Sequence, residues 1–208
     1  MNLYDRYLMP VLIDACCGMK AVQRERAKLL PLAKGRILEI GIGTGRNLPF
    51  YAREQVEQLI GLDPAEQMNA KAQRRADAAG LKVELMGLSA ETIPVEDASF
   101  DTVVCTFTLC TIPDPDAALQ EMKRVLKPDG RLLFCEHGLA PEEDLGVRNW
   151  QQRLTPYWKP IAGGCHLNRA VRPMLERAGF VIDEFTASYL TGPRPLTYVS
   201  RGVARPGT

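Results

Sequence analysis

Residues 36–47 read RILEIGIGTGRN, a short apolar run followed by a cluster of glycines. The apolar half is typical of a buried parallel strand. Three glycines come next at every second position, namely Gly41, Gly43 and Gly45. Because glycine has no side chain and tolerates tight turns, a ligand could lie directly against the main chain after this strand.

A second apolar run, residues 56–62, ends at an acid, Asp63. A carboxylate at the tip of the neighbouring strand can accept both hydroxyls of a ribose, as in other doubly wound nucleotide-binding folds. The glycine turn and Asp63 together predict a nucleoside site.

The order of elements predicts the fold class. Strands alternate with helices through residue 137, which favours a mostly parallel sheet with right-handed crossovers. Two further strands, over residues 180–189 and 196–204, are expected to pair antiparallel. We therefore expect an α/β, Rossmann-like, doubly wound sheet of seven strands, mostly parallel, with an antiparallel final strand and an N-terminal helical cap.

Composition restricts the function. The chain has 208 residues and 46% hydrophobic residues, which suits one soluble domain. Its formal net charge of +1 provides no long-range electrostatic attraction for nucleic acid. No run approaches the roughly 20 apolar residues of a membrane span. We expect a cytoplasmic protein with N-terminal helices over residues 1–30, a cofactor-binding core over 36–137 and substrate-side helices and strands over 138–208.

The six cysteines show no CxxC pair and no metal-ligand spacing, so reduced thiols and no metal are expected. They are Cys16, Cys17, Cys105, Cys110, Cys135 and Cys165.

Local signals predict individual elements. Residues 4–19 resemble an amphipathic helix with Tyr4, Leu8, Val11, Leu12 and Cys16 on one side. It would cap the cofactor or substrate mouth or, alternatively, lie on a membrane surface, although its polar face lacks the Lys and Arg of such helices.

Further along the chain, residues 21–30 form a charged helix. Asn47 is expected to be the N-cap of a helix with Pro49 in its first turn. Residues 127–130 are expected to form a turn and residues 167–178 a helix.

The spacing of the glycines bears on which nucleoside binds. The dinucleotide fingerprint GxGxxG would need a glycine at position 46, where the chain has Arg46. A phosphate loop of the Walker type is excluded too, because no Gly-Lys-Ser/Thr follows.

The motifs resemble those of class I S-adenosylmethionine-dependent methyltransferases, in particular methyltransferase type 11. They are residues 38–45 (LEIGIGTG), 61–64 (GLDP), 89–94 (SAETIP), 99–104 (SFDTVV) and 124–130 (RVLKPDG). The resemblance implies S-adenosyl-L-methionine as cofactor.

The resemblance also implies cofactor-binding roles. Gly41, Gly43 and Gly45 would lie under the methionine part and the ribose, with Glu39 near the amino group, Thr106 beside the methionine part and Asp63 on the ribose hydroxyls. For the adenine it implies packing by Pro64 or Met68, a backbone N–H from Ala90, and a side chain, Ser89 or Glu91, near the exocyclic amine.

The second half of the chain limits the classes of molecule that could be the methyl acceptor. Residues 109–115 (LCTIPDP) lack the tetrad of amino-methylating DNA enzymes, and no metal triad of the catechol type can be assembled. Instead, five segments resemble the methyltransferase-like alkyl-thiol S-methyltransferases: residues 105–110 (CTFTLC), 136–137 (EH), 150–152 (WQQ), 164–169 (GCHLNR) and 175–180 (LERAGF). Those relatives carry an N-terminal hydrophobic anchor that this sequence does not show.

A thiol with a pKa near 8.5 needs little help to ionise, and a histidine could act as base or stabilise the thiolate. His137, at a strand end, is the first candidate catalytic residue, and His166 is the second. Trp150, Tyr157 and Trp158 are expected to wall the acceptor pocket. Two alternatives stay open: a phospholipid or quinone N- or C-methyltransferase, and a non-catalytic cofactor-binding regulator. No nucleic acid partner is expected.

Overall fold

A seven-stranded sheet forms the centre of the computed structural model, which describes residues 8–207. The strand order is β3-β2-β1-β4-β5-β7-β6. The strands are β1 Gly35–Ile40, β2 Val56–Leu62, β3 Val83–Met86, β4 Phe100–Thr106, β5 Leu126–His137, β6 Phe180–Tyr189 and β7 Tyr198–Pro206. Strands β1 to β5 pair in parallel, and β7 runs antiparallel to both β5 and β6. The predicted fold class is confirmed.

Six α-helices flank this sheet within the described residues. They are α1 Met9–Cys17, α2 Lys20–Leu29, α3 Asn69–Ala79, α4 Pro115–Val125, α5 Leu145–Trp158 and α6 Val171–Arg177. None of them is both long and apolar enough to cross a bilayer.

The core lies on both faces of the sheet because successive side chains of a strand point to opposite sides. In β1, Leu38 packs into the cluster that contains α4 and α6, whereas Ile37 packs into the cluster that contains Leu29 of α2. Full burial of one such aliphatic side chain contributes about 1.5–3 kcal/mol.

The strand order determines where the predicted nucleoside site lies. Strands β1 and β4 are neighbours although β2 and β3 come between them in the chain. At such a switch point the connections leave in opposite directions and open a crevice at the carboxyl ends of the strands. The glycine turn, Asp63 and Thr106 all lie at this edge of the sheet.

The prediction of a helix that begins at Asn47 is wrong. Only a single 3₁₀ turn, Leu48–Phe50, follows, and Asn47 makes no side-chain cap. Its amide instead donates to Glu39 and Thr106 in the interior. A side chain engaged in a buried network is not available to cap the orphan N–H groups of a helix.

Other predicted element boundaries differ from those in the structure. Strand β5 begins at Leu126, because Phe100 pairs with Leu126 and Thr102 with Arg131, so the predicted turn 127–130 bulges within the strand. Helix α6 begins only at Val171 instead of residue 167. The predicted helix 4–19 ends at Cys17, and Tyr4 lies outside the described residues.

Candidate active site

The three glycines of the turn all have left-handed backbones, with φ of 68°, 52° and 77° at Gly41, Gly43 and Gly45. This region is costly for other L-residues. A Cβ on Gly43 would make only ordinary van der Waals contacts, 3.6 Å from Met68 Sδ and 3.8 Å from Asp63 Oδ2. The turn therefore presents bare main chain beside that acid.

A cavity of about 270 Å³ opens above the turn. Most of the predicted cofactor-binding residues line it: Glu39, Gly41, Gly43, Asp63, Pro64, Met68, Ser89, Ala90 and Thr106. The structure thus brings together residues at or after the ends of four neighbouring strands, β3, β2, β1 and β4.

Two predicted cofactor residues lie outside this lining. A Cβ on Gly45 would meet Leu48 Cδ1 at 2.6 Å and Ala72 Cα at 3.0 Å, so Gly45 is there to let α3 pack against the turn. The Glu91 carboxylate accepts hydrogen bonds from Ser89 Oγ at 2.5 Å and from the Asp114 N–H at 2.8 Å. Glu91 therefore ties its loop to the start of α4.

Asp63 is oriented by the backbone. Its Oδ2 accepts from the Gly43 N–H at 2.9 Å and its Oδ1 from the Ala65 N–H at 2.8 Å. Burial raises the pKa of Asp63, against the effect of these two hydrogen bonds. Since an ionised carboxylate has about four acceptor sites, two remain for ligand hydroxyls.

Glu39 belongs to a buried polar network under the cavity. It is 1% exposed and accepts hydrogen bonds from the Tyr51 hydroxyl at 2.6 Å and from Asn47 Nδ2 at 3.0 Å. Burial raises the pKa of Glu39 to about 7, although these hydrogen bonds oppose it. A ligand cation beside Glu39 would favour the ionised form.

Arg26 is a site residue that the sequence did not indicate. It lies on the charged helix α2, yet it is 3% exposed and lines the cofactor cavity. Its Nε donates to Asn47 Oδ1 at 2.7 Å, and its guanidinium lies 5.0 Å from the Phe107 ring centroid. It forms no ion pair within residues 8–207. The signal that could have found it is its spacing from Val22 and Leu29, which puts all three on one buried face.

Asp14 anchors the helical cap above the cavity. Its carboxylate accepts from Thr44 Oγ1 at 2.6 Å, Arg46 Nε at 2.8 Å and Arg75 Nη1 at 3.0 Å. Burial alone would raise the pKa of Asp14, but these donors outweigh it and hold the pKa well below its usual range. Helix α1 is thereby tied to the glycine turn and to α3.

A second cavity, of about 310 Å³, adjoins the first. Four residues line both cavities: Ile13, Cys17, Phe107 and Thr111. Its other walls are mostly apolar and come from α2, the end of α5 and the segment before β7. An apolar molecule held there would face the first cavity across Phe107.

Phe107 has φ of +54°, a strained value for an aromatic residue. The Phe107 N–H donates to the Cys135 carbonyl at 2.9 Å, and the buried Glu136 carboxylate accepts from the next N–H, of Thr108, at 3.0 Å. These contacts fix the strained turn that sets the ring between the two cavities.

The two predicted catalytic histidines differ in placement. His137 lines the second cavity and is 7% exposed, and neither of its ring nitrogens has a hydrogen-bond partner among the described residues. His166 lines neither cavity, because its ring Nδ1 lies 3.1 Å from the Cys110 carbonyl oxygen. His166 thus stabilises the loop that contains Cys110 and does not contact either cavity.

The expected aromatic wall is largely wrong. Trp150 is 57% exposed and Tyr157 is 75% exposed, so both face solvent on α5. Only Trp158, at the end of that helix, lines the second cavity.

A cluster of thiols adjoins His137. The Sγ atoms of Cys110 and Cys165 and a ring nitrogen of His137 all lie within 4.8 Å of one another. The neighbouring Cys110 thiol lowers the pKa of Cys165, and burial opposes this.

Known proteins share this architecture. Residues 38–134 match the family model described as "Methyltransferase domain". The thiol S-methyltransferase TMT1B of Rattus norvegicus is 35% identical over 193 residues, which cover 85% of this chain and 75% of that protein. A demethylmenaquinone methyltransferase of Thermus thermophilus is 35% identical over 147 residues, covering 68% and 66%.

Among solved structures, one from Thermotoga maritima is described as an S-adenosylmethionine-dependent methyltransferase and possible histamine N-methyltransferase. It superposes with a TM-score of 0.64 and 22% identity, over 96% of each chain. At this identity the likeness concerns the fold alone.

Proposed function

The chain belongs to the family of class I S-adenosylmethionine-dependent methyltransferases, and on that premise we propose that its methyl acceptor is the sulfur of a small-molecule thiol or sulfide. The observation that carries the proposal is the apolar second cavity next to the cofactor cavity. His137 lines it, and its ring nitrogens have no hydrogen-bond partner within residues 8–207. Similarity to relatives named thiol S-methyltransferases supports it.

The residues of the first cavity fit the cofactor. Asp63 would accept the ribose hydroxyls, and Glu39 would face the amino group of the methionine part. The bare main chain at Gly43 leaves room for the ligand, since a Cβ there would lie between Met68 Sδ and the Asp63 carboxylate. Gly41 instead makes room for the Thr108 side chain, which a Cβ on Gly41 would overlap. Arg26, a buried cation without an ion-pair partner among residues 8–207, would pair with the methionine carboxylate.

The adenine would lie at the other end of the cavity. The Ala90 N–H and the Ser89 hydroxyl would face its polar edge, and Pro64 and Met68 would pack on its ring. Thr106, buried at the end of β4, would lie beside the methionine part.

S-Adenosylmethionine, when bound, supplies a methyl group on a positively charged sulfur, which an in-line nucleophile can displace. The protein's part is to position the acceptor and exclude water. Helix α1 covers both cavities with Ile13, and the rigid turn at Phe107 sets the approach between them. His137 would hold the acceptor sulfur and stabilise it as it loses its proton.

A panel of thiols, phenols and amines with methyl-labelled cofactor tests the acceptor. We expect labelled thioethers from apolar thiols and little label on amines. The Asp63→Ala protein serves as the control for background transfer. Label on amines or carbons alone would refute the proposal.

A second candidate, methylation of a phospholipid or quinone, is favoured by a specific observation. Apolar side chains are exposed around the mouth of the second cavity, at Leu12, Met19 and Ile161, and Leu8 and Val11 extend this surface along α1. Co-sedimentation with liposomes that is lost on deleting residues 1–19 would favour this candidate. Absence of co-sedimentation, together with turnover of soluble thiols, would reject it.

A further inference from the structure

We propose that Cys110, His137 and Cys165 form a binding site for a thiophilic divalent cation, Zn²⁺ in the first instance, with one coordination position open to the acceptor cavity. All three residues line that cavity, and their ligand atoms lie within 4.8 Å of one another. They come from three separate segments: the loop after β4, the end of β5 and the loop between α5 and α6.

The donor set is one that zinc prefers. Two cysteine sulfurs and one imidazole nitrogen are the protein ligands of known open zinc sites, where substrate or water takes the fourth position. Bond lengths of about 2.3 Å to sulfur and about 2.0 Å to nitrogen place tetrahedral ligands on the order of 3.5–4 Å apart. Small side-chain rotations would therefore close the cluster around an ion.

The His137 ring is the independent observation that calls for a ligand. It is 7% exposed, and no described residue bonds to either of its nitrogens. A buried polar group without a partner destabilises the folded protein. Coordination of one nitrogen by a cation would remove that destabilisation at this nitrogen.

The backbone around the cluster is held in place. Both the His166 N–H, at 2.8 Å, and the His166 ring nitrogen, at 3.1 Å, contact the Cys110 carbonyl oxygen. His166 thereby clamps the loop that carries Cys165 to the loop that carries Cys110. It is a positioning residue of the proposed site.

The charges also balance. Two thiolates neutralise a divalent cation, so the occupied site adds no net charge to an apolar cavity. The nearby Glu136 carboxylate is engaged by the Thr108 N–H and the Cys105 thiol and does not compete as a ligand.

The role of the ion, unlike its binding, rests on the proposed thiol acceptor. An acceptor thiol would take the open position: its S–H bond breaks, the proton leaves to solvent, and a sulfur–zinc bond forms. The thiolate held there would donate an electron pair to the methyl carbon, and the bond from that carbon to the sulfonium would break, leaving the demethylated cofactor as a neutral thioether. A neutral thioether is a weaker ligand than a thiolate, so the product would dissociate. His137 would stabilise the acceptor through the ion.

Cobalt substitution tests binding without any turnover. In the reduced, metal-free full-length protein, we expect Co²⁺ to give tetrahedral thiolate charge-transfer and d–d absorption with about one ion per chain, displaced by Zn²⁺. Cys110→Ser and Cys165→Ser should each weaken binding by at least about 10-fold. Cys16→Ser, which removes another thiol of the same cavity, is the matched control and should bind Co²⁺ normally. Thermal melts establish that each variant is folded.

Absence of these bands, or unchanged bands in the Cys110→Ser/Cys165→Ser double variant, would overturn the site. Adding an apolar thiol without cofactor should shift the cobalt bands. Bands that no thiol shifts, in a protein that methylates only amines, would reject the thiol acceptor and leave the site standing. Thiol methylation by a metal-free protein that binds no cobalt would reject the site and leave the acceptor standing.

Discussion

Two carboxylates of the cofactor cavity differ in what surrounds them. Asp63 is oriented by two backbone N–H groups and keeps acceptor sites free toward the cavity. Glu39 is enclosed, and its charge is opposed by burial, which raises its pKa to about 7. The first is suited to neutral hydroxyls and the second to a cationic amino group.

The affinity for S-adenosylmethionine should therefore rise with pH through about 7, because Glu39 must be ionised to attract the amino group. Glu39→Gln should lower the affinity at alkaline pH and remove this step. Calorimetric titration across pH measures both, and an unchanged step in Glu39→Gln would contradict the assignment.

The same residue makes a prediction for stability. The pKa of Glu39 in the folded, cofactor-free protein is raised, so its ionisation is easier in the unfolded chain. Its contribution to stability is thus lost as pH rises from its unfolded value, about 4.3, through about 7. Cofactor-free Glu39→Gln should lose less free energy of unfolding over this window, as urea titrations can determine.

Asp63→Ala should weaken cofactor binding about 100-fold, since each hydrogen bond to a charged group contributes about 1.5–3 kcal/mol. The Asp63→Asn variant keeps one acceptor oxygen, so its cofactor affinity is expected to lie between those of the wild type and the alanine variant. Calorimetry with the demethylated cofactor is the measurement. Near-normal affinity of the alanine variant would rule out the ribose role.

At the scale of elements, the turn after β1 serves two neighbours at once. Gly43 faces the cavity, whereas Gly45 faces α3. Helix α1 is held over the same turn by Asp14, through Thr44, Arg46 and Arg75. Packing of these elements and the shape of the cofactor cavity are consequently coupled.

Gly45→Ala and Gly43→Ala form a matched pair. Gly45→Ala should cost about 2–4 kcal/mol of stability, because left-handed strain adds to a clash with Leu48 and Ala72. Gly43→Ala should cost about 1–2 kcal/mol from strain alone and chiefly reduce cofactor affinity. Urea unfolding and calorimetry separate the two, and equal losses of stability would contradict this division.

Asp14→Ala should loosen α1, with faster amide hydrogen exchange in Met9–Cys17 and a loss of about 1–2 kcal/mol at neutral pH. The pKa of Asp14 is lowered in the folded protein. Its contribution is therefore present above the unfolded pKa of about 3.9 and fades as pH falls below it. The wild-type and variant unfolding curves should converge in strong acid. A constant difference down to that range would contradict an ionic anchor.

At the scale of the whole molecule, two cavities meet at the switch point of the sheet and share one wall. Substitutions on the far side of the second cavity should therefore affect the acceptor and leave the cofactor alone. Ala162 lines only the second cavity.

Ala162→Phe should raise the KM for bulky thiols about 10-fold, by analogy with the cost of overfilling a packed site, with unchanged cofactor affinity. Ala70→Phe, on the exposed side of α3, is the control. Steady-state kinetics with thiols of graded size make the comparison. A parallel loss of cofactor affinity would show that a substitution in the second cavity also affects cofactor binding in the first, which would contradict this prediction.

The sequence determined the cofactor half of this protein because its signals are local. The alternation of strands and helices predicts the fold, and the glycine turn with the acid after the next strand predicts a nucleoside site. The resemblance to class I methyltransferases, which rests on short motifs, implies most of the other residues that line the first cavity. Each of those signals depends on backbone conformation over a few neighbouring residues.

Only the tertiary structure decided the acceptor half and, in the cofactor cavity, the places of Arg26 and Asn47. Arg26 lies inside a charged helix, Trp150 and Tyr157 face solvent, and Asn47 serves a buried network instead of a helix end. Cys110, His137 and Cys165 have no spacing that marks them as partners, yet they meet because β4 and β5 are adjacent and the loop after α5 folds over their ends. Contacts between segments distant in the chain are set by packing of the whole sheet, which no local pattern encodes.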